Sequence, residues 1–271
     1  MLKQRIFTSL ILAPLIIWGI YALPQNIFTI IMATVIAMGA WEWSKISRLE
    51  KLHSRILYII SILVVSLAVI RFSNQPNIVL TSLLLICIWW IAVVIRLIQY
   101  RAIKLEEKQN QINDMLAGLF ALSGCLVTLV ILHEKYSAHF MVALMFLVWG
   151  ADTFAYFAGK KFGKTKLLPE ISPGKTIEGV WGAFVGALII GSIAGTLIGL
   201  TGIDLFWFVT ICFVTVIFSI AGDLHESLYK RKAHIKDSGS LLPGHGGIMD
   251  RIDSLTAAAP VYLSGLVLLK G

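Results

Sequence analysis

The chain has 271 residues, of which 58% are hydrophobic and 14% are charged, and its formal net charge is +8 at pH 7. Soluble globular proteins carry about 25% charged residues, so this composition excludes an ordinary soluble domain and indicates an integral membrane protein. The apolar runs are continuous rather than alternating, which excludes a transmembrane β-barrel and predicts membrane-spanning helices. The positive charge does not indicate nucleic-acid binding, because the bases lie at the ends of the apolar runs.

Nine apolar runs have about the length that a helix needs to cross the hydrocarbon core. The first run follows Lys3 and Arg5 and exceeds a signal-peptide core in length, so we interpret it as a retained span. The predicted fold is therefore all-α and polytopic, with about nine transmembrane helices. Their expected positions are 6–23, 26–41, 56–72, 78–95, 114–132, 138–158, 178–200, 203–221 and 255–269. Sequence character divides the chain into an N-terminal region at 1–110, with about four spans, and a C-terminal region at 111–271.

The basic residues predict the orientation of these spans. All Lys and Arg residues except Arg71, Lys135 and Lys270 fall on one side of the membrane. Because basic loops stay in the cytoplasm, the N-terminus and the loops 159–177 and 222–253 are predicted to be cytoplasmic and the C-terminus to lie outside. The expected location is the inner or plasma membrane of a bacterium-like cell.

The loop 222–253 contains the densest polar chemistry in the chain. Its acids and bases are Asp223, Glu226, Asp237, Asp250, Asp253, Lys230, Arg231, Lys232, Lys236 and Arg251. If the preceding helix continues into this loop, Asp223, Glu226, Ser227 and Lys230 share one face, because residues three and four apart are neighbours. Carboxylates beside bases indicate a metal-bridged phosphate site, since magnesium is typically held by one or two carboxylates and substrate phosphates. The alternative is a solvated loop with salt bridges, although ionisable groups next to spans are usually functional.

A second polar segment, 159–179, precedes the seventh span. Its Gly174-Lys175-Thr176 triplet does not make a Walker A loop, because Pro169 stands where that motif has glycine and no strand is predicted before it. A helix start is the better interpretation, with Lys175 and Thr176 offering side chains and free N–H groups to an anion. The lysine surplus of the segment also suits a polyanion, although the positive-inside rule alone would explain it.

The polar loop contains Ser227-x-x-Lys230-Arg231, then Lys236-Asp237, then Pro243-x-His245-Gly246-Gly247-Ile248-x-Asp250-Arg251-Ile252-Asp253. This run resembles the signature of the phosphatidate cytidylyltransferases, also called CDP-diacylglycerol synthases. Gly222-Asp223-Leu224, the segment 172–179 and Asp152 also resemble that family. The resemblance covers about 149–253, whereas the first 110 residues fit only in being apolar and multi-spanning.

The resemblance implies the reaction CTP + phosphatidate → CDP-diacylglycerol + pyrophosphate, by metal-assisted direct displacement in the C-terminal region. It implies Mg²⁺ and allows K⁺ beside it, and it suggests a homodimer that meets CTP from the cytoplasm and phosphatidate in the bilayer. The expected metal ligands are Asp223, Asp250, Asp253 and Asp237. The expected catalytic residues are Asp223, Asp250, Lys236 and Arg251. The expected substrate-binding residues are Ser172, Lys175, Thr176, Ser227, Lys230, Arg231, His245, Gly246 and Gly247.

Other functions stay open at this point. A CTP-using lipid kinase would transfer the γ-phosphate to a polyprenol instead, and a transporter of a phosphorylated solute would suit the intramembrane Asp152. A CDP-alcohol phosphotransferase is less suitable, because the chain has no D-G-x-x-A-R run.

Glycines recur on the seventh span, most of them four residues apart. This spacing lets helix backbones approach closely, and it favours packing within the chain or, alternatively, a subunit interface. The glycines are Gly182, Gly186, Gly191, Gly195 and Gly199.

We predict that the C-terminus lies outside the cytoplasm, because an odd number of spans separates it from a cytoplasmic N-terminus. A phosphatase fused after Gly271, which needs export for activity, should therefore be active, and a fluorescent protein fused there, which needs the cytoplasm, should be dark. The same pair placed in the loop 159–177 should give the opposite result. A C-terminal reporter that functions in the cytoplasm would contradict the nine-span topology.

Overall fold

The computed structural model describes residues 2–100, 110–239 and 246–270, with the backbone alone for 2–10 and 270. Over these residues the chain forms nine helices and one short hairpin. The helices are α1 Leu2–Ala22, α2 Gln25–Ile46, α3 Leu52–Arg71, α4 Pro76–Gln99, α5 Gln111–Lys135, α6 Ala138–Phe162, α7 Ile177–Ile198, α8 Gly202–Lys232 and α9 Met249–Lys270. Eight of them, α2 to α9, are long and apolar enough to cross a membrane, and α1 adds a shorter apolar stretch, Ile11–Ala22. The all-α polytopic prediction is confirmed.

The helices extend beyond the predicted spans mainly at their polar ends. Helix α2 continues to Ile46, past the expected end at 41, and α8 continues to Lys232, past 221. A helix ends where its backbone groups lose intrahelical partners rather than where its side chains stop being apolar, so hydropathy alone misplaces these ends. Asp223, Ser227 and Lys230 therefore lie on one continuous helix.

A hairpin lies directly before α7. Its strands, β1 Lys166–Leu168 and β2 Ser172–Thr176, pair in antiparallel fashion. The expectation that no strand precedes this helix was wrong, because strands of three and five residues are too short to show an alternating pattern. The predicted helix start is confirmed: Thr176 is the N-cap of α7, and its Oγ1 accepts a hydrogen bond from the N–H of Gly179 at 3.1 Å.

The chain forms two compact units, and the first comprises Met1–Ser82, Lys108–Val142 and Tyr229–Ile252. In it, α2, α3 and α5 pack together. Trp43 of α2 is fully buried, and its Nε1 donates a hydrogen bond to the carbonyl oxygen of Asp114 in α5 at 2.8 Å. Such a bond is needed, because a buried indole N–H requires an acceptor.

The second unit comprises Leu83–Glu107, Ala143–Leu228 and Asp253–Gly271. Here neighbouring helices of the same unit pack closely against the glycines of α7. A Cβ on Gly182 would lie 2.4 Å from the Cβ of Ala158 in α6, and a Cβ on Gly195 would lie 2.5 Å from Leu205 of α8. The small-residue face thus serves helix packing within the chain, the first of the two predicted uses. The sequence division at residue 110 stays a prediction.

We expect Gly118→Ala to lower the thermal unfolding temperature of the detergent-solubilised protein. A Cβ at Gly118 in α5 would lie 2.2 Å from Cδ1 of Trp43 and 2.4 Å from the hydroxyl oxygen of Tyr58. Moving these rings should cost about 1–3 kcal/mol of unfolding free energy, the usual cost of overpacking. Gly174→Ala is the matched control, since a Cβ there meets nothing within 4 Å. Equal unfolding temperatures for the two variants would contradict this packing.

Candidate active site

The predicted site residues form two clusters, one in each compact unit. The Asp250 cluster lies in the first unit and consists of Asp250, Lys230, Ser238, Gly247 and Glu42. The Asp223 cluster lies in the second unit and consists of Asp223, Lys175, Ser227, Glu226 and Asp253. His245 lies outside the described residues.

Asp250 stands in the first turn of α9, and both of its carboxylate oxygens have partners. Lys230 of α8 donates from Nζ to Oδ1 at 2.5 Å, and both side chains are about nine-tenths buried, with 12% and 9% of their surface exposed. The other oxygen, Oδ2, accepts from the backbone N–H of Gly247 at 2.8 Å and of Ser238 at 3.0 Å, and from the Ser238 hydroxyl at 3.0 Å. Oδ2 therefore holds Ser238 and Gly247, whereas Oδ1 faces a base.

Glu42 is a member of this cluster that was not predicted from the sequence. It lies in α2 and is 1% exposed. Its Oε2 accepts from the Ser238 hydroxyl at 2.9 Å and from the N–H of Met249 at 2.8 Å, and its Oε1 accepts from the N–H of Ile248 at 3.1 Å. The available signal was an acid placed between Trp41 and Trp43, since a carboxylate next to a span is usually functional. The Ser238 hydroxyl had no comparable signal.

The two glycines after His245 let the backbone pass close to these carboxylates. Gly246 has φ of +81°, a conformation that glycine adopts without strain, and a Cβ on it would lie 2.6 Å from Oδ2 of Asp250. A Cβ on Gly247 would lie 2.3 Å from Oε2 of Glu42. Their predicted contact with substrate stays a prediction, and what is observed is that they let the backbone approach Asp250 and Glu42 closely.

The remaining predicted residues of the first unit lie nearer the surface. Lys236, Asp237 and Arg251 are exposed, and Arg231 is half-buried. Exposed basic side chains can reorient toward an anion, because side chains at a protein surface change rotamer within nanoseconds. The roles predicted for these four residues stay predictions.

In the second unit, the segment before α7 and the helix α8 meet through an ion pair. Lys175 of β2 places Nζ 2.8 Å from Oδ2 of Asp223, with about a quarter of each side chain exposed. Ser227, one turn along α8, donates its hydroxyl to Oδ1 of Asp223 at 3.2 Å. The sequence placed Lys175 and Asp223 in separate loops, and the structure brings them together.

Asp253 adds a third acid to this cluster. It lies close enough to Asp223 and Glu226 for their negative charges to act on it, and Lys175 opposes them. The approach is possible because a Cβ on Gly222 would lie only 2.5 Å from the carbonyl oxygen of Asp253, so glycine allows α8 and α9 to come into contact here. The cluster gathers more acid than base at one place.

Ser172 and Thr176, predicted to bind substrate, begin and end strand β2. Ser172 is partly exposed, whereas Thr176 is buried, and its Oγ1 already caps α7. Asp152, which resembled a family position, is exposed on α6. Thr176 therefore has an observed structural role, and binding of substrate by Ser172 and Thr176 remains a prediction.

The donor chemistry of the Asp223 cluster fits magnesium, which prefers carboxylate oxygens. Within the part of the chain that the structure describes, no group of three or more His, Cys, Asp or Glu side chains is arranged to hold a metal ion. Magnesium does not require such a cage, because it usually takes one or two carboxylates together with waters and substrate phosphates. Asp223 and Asp253 supply that number.

The fold and these clusters define an integral membrane protein whose polar groups suit phosphate-bearing substrates. The chain belongs to the cytidylyltransferase family, which it matches over residues 3–269. The match includes the N-terminal region, where the sequence had offered only apolar character.

Individual relatives are similar over nearly the whole chain. The phosphatidate cytidylyltransferase of Pseudomonas aeruginosa is 39% identical over 263 residues, covering 97% of this chain and 96% of that protein. The enzyme of the same name from Haemophilus influenzae is 34% identical over 290 residues, covering 97% of each chain. That of Thermotoga maritima is 28% identical over 279 residues, covering 100% of this chain and 98% of its own.

Proposed function

We infer that the protein is a nucleotidyltransferase that transfers CMP from CTP to phosphatidate, giving CDP-diacylglycerol and pyrophosphate in phospholipid biosynthesis. The observation that carries this inference is the family match over residues 3–269, joined by near full-length relatives named phosphatidate cytidylyltransferase. The two clusters support it, because each holds a lysine against a carboxylate, a pairing suited to a phosphate ester and its counter-cation.

The proposed reaction is a direct displacement. A phosphate oxygen of phosphatidate attacks the α-phosphorus of CTP and forms the new P–O bond. The bond between the α-phosphorus and its bridging oxygen breaks, and pyrophosphate leaves with the electron pair. The attacking phosphomonoester has a second pKa of about 6, so it is already dianionic near neutral pH. A protein base is not required, and catalysis depends on positioning and on compensation of charge.

The residues of the two clusters are assigned to that charge compensation. Lys175 and Lys230 lie beside carboxylates and would bind phosphate oxygens, with Arg231, Lys236 and Arg251 as further phosphate-binding bases. Mg²⁺, when bound, would neutralise charge on the phosphates. Asp223 and Asp253 of the second unit are the residues that would hold it, and the metal roles expected for Asp250 and Asp237 stay predictions. K⁺ beside it is a proposal that depends on the family resemblance alone.

We place the reaction at the cytoplasmic face of a bacterial inner membrane, because the basic loops predict that side. CTP is soluble, and phosphatidate stays in the bilayer, so a reaction at the membrane surface meets both. The homodimer also stays a proposal. The packing of α7 within the second unit means that a dimer would use a surface other than the glycines already covered there.

The products separate this proposal from its rivals. We predict that the purified protein in detergent with phosphatidate, CTP and Mg²⁺ releases pyrophosphate and forms CDP-diacylglycerol, and that chelation of the metal stops both. A lipid kinase would release CDP instead, and a transporter would release neither. Detection of CDP would contradict the proposed reaction. So would turnover that continues at the same rate after the metal is chelated.

We predict that Asp223→Asn and Asp250→Asn each lower kcat at least about 100-fold, the usual scale for losing a preorganised electrostatic group. Asparagine keeps an acceptor for Ser227 or for the loop N–H groups, but it removes the charge that faces Lys175 or Lys230. The measurement is kcat with radiolabelled CTP, together with protein content of the membrane fraction. Asp204→Asn is the matched control, since Asp204 is exposed at the other end of α8. Wild-type turnover in either variant would remove that aspartate from the site.

A further inference from the structure

We propose that Glu42 is a positioning residue for Asp250, which it holds in place through Ser238 and the two residues directly before Asp250, Ile248 and Met249. This inference depends on the site role given to Asp250 under the proposed function. It assigns a task to α2, in the half of the chain whose part in the reaction the sequence left open.

The first argument is that Glu42 is placed where a carboxylate is costly unless it accepts hydrogen bonds. It is 1% exposed in the interior of a helical unit, and burial of a charged group without partners is strongly unfavourable. Its partners come from a distant part of the sequence: the Ser238 hydroxyl and the N–H groups of Ile248 and Met249. The hydrogen bonds that make the burial of Glu42 possible therefore also hold these three residues in place.

The second argument is that two of these donors lie directly before Asp250 in the sequence. Ile248 precedes α9 and Met249 is its first residue, and at a helix start the backbone N–H groups have no intrahelical acceptor and the helix dipole favours an anion. Glu42 thus caps α9 from another helix, and Asp250 is the next residue after Met249. A shift of this cap would shift Asp250 with it.

The third argument is a direct bridge. The Ser238 hydroxyl lies 2.9 Å from Oε2 of Glu42 and 3.0 Å from Oδ2 of Asp250. A hydroxyl has one proton to donate, so Ser238 links the two carboxylates and serves one of them at a time. The backbone N–H of Ser238 donates to Asp250 as well, which makes the position of this residue matter for both acids.

The fourth argument is the close approach of the backbone at two glycines. A Cβ on Gly239 would lie 2.3 Å from Oε1 of Glu42, and one on Gly247 would lie 2.3 Å from its Oε2. A side chain at either position would collide with Glu42, so glycine is what lets the backbone come this close to both carboxylate oxygens.

Replacing Glu42 with glutamine should break the arrangement without changing its size. Oε1 and Oε2 of Glu42 each accept from a backbone N–H, so the amide nitrogen of the substituted side chain would face a donor whichever way it turned. We expect Glu42→Gln to lower kcat about 10- to 100-fold, the usual effect of losing a group that orients a catalytic carboxylate. The KM for CTP should change little, because Glu42 does not touch substrate in this proposal.

The test is a double-mutant cycle with Asp250→Asn, measured with radiolabelled CTP so that residual turnover is quantified. If Glu42 acts through Asp250, Glu42→Gln lowers kcat in the wild type but has little further effect in Asp250→Asn, because coupled residues are non-additive. Glu42→Asp, which keeps the charge, should retain more activity than Glu42→Gln. Glu50→Gln is the matched control, an exposed glutamate changed in the same way, and it should behave as wild type.

Three outcomes would overturn the proposal: wild-type kcat in Glu42→Gln, full additivity with Asp250→Asn, or a loss of kcat in Glu50→Gln equal to that in Glu42→Gln. Should Glu42→Gln fail to accumulate, Ser238→Ala takes its place in the cycle, since it removes only the bridging hydroxyl. Wild-type kcat in Ser238→Ala would then overturn the link. A wild-type enzyme that makes no CDP-diacylglycerol would instead contradict the proposed function itself.

Discussion

An ionised carboxylate inside a helical membrane protein must be paired or hydrogen-bonded, because removing it from water without partners costs several kcal/mol or more. This constraint organises both clusters. Asp250 accepts from Lys230 and from the N–H groups of Ser238 and Gly247, and Asp223 is held by Lys175 and Ser227. The lysines and hydrogen-bond donors that make these buried carboxylates stable are also the groups that a phosphate-transfer site needs. Stability and chemistry therefore depend on the same contacts.

The lengths of the helices decide where these carboxylates stand. Helix α8 has 31 residues, which makes it about 46 Å long, whereas the hydrocarbon core of a bilayer is about 30 Å thick. The helix is therefore longer than the core, and its last turns, which include Asp223, Ser227 and Lys230, follow its apolar part. Because these polar residues lie on a helix, their spacing is regular and rigid, which a flexible loop would not provide.

Much of this could be predicted from the sequence, because hydropathy and helix periodicity are local signals. They located the helices and the shared face of α8, and the family signature pointed to Asp223 and Asp250. Glu42 was missed because its partner Ser238 is 196 residues away, and its span was predicted to end at 41. The hairpin before α7 was missed for a related reason: its pairing depends on a turn rather than on side-chain periodicity. The choice between internal and intersubunit packing for Gly182 likewise needed its neighbour Ala158.

In both candidate aspartates one carboxylate oxygen accepts hydrogen bonds and the other is paired with a lysine, and this pattern distinguishes them from Glu42. In Asp250, Oδ2 accepts from loop donors and Oδ1 faces Lys230; in Asp223, Oδ1 accepts from Ser227 and Oδ2 faces Lys175. One oxygen fixes the side chain. The other oxygen is paired with a lysine, and it would lose that partner if the lysine turned toward an anionic substrate. Both oxygens of Glu42 accept from backbone N–H groups. A carboxylate so occupied is suited to hold structure, which is why Asp250, and not the more deeply buried Glu42, is the group expected to meet the substrate.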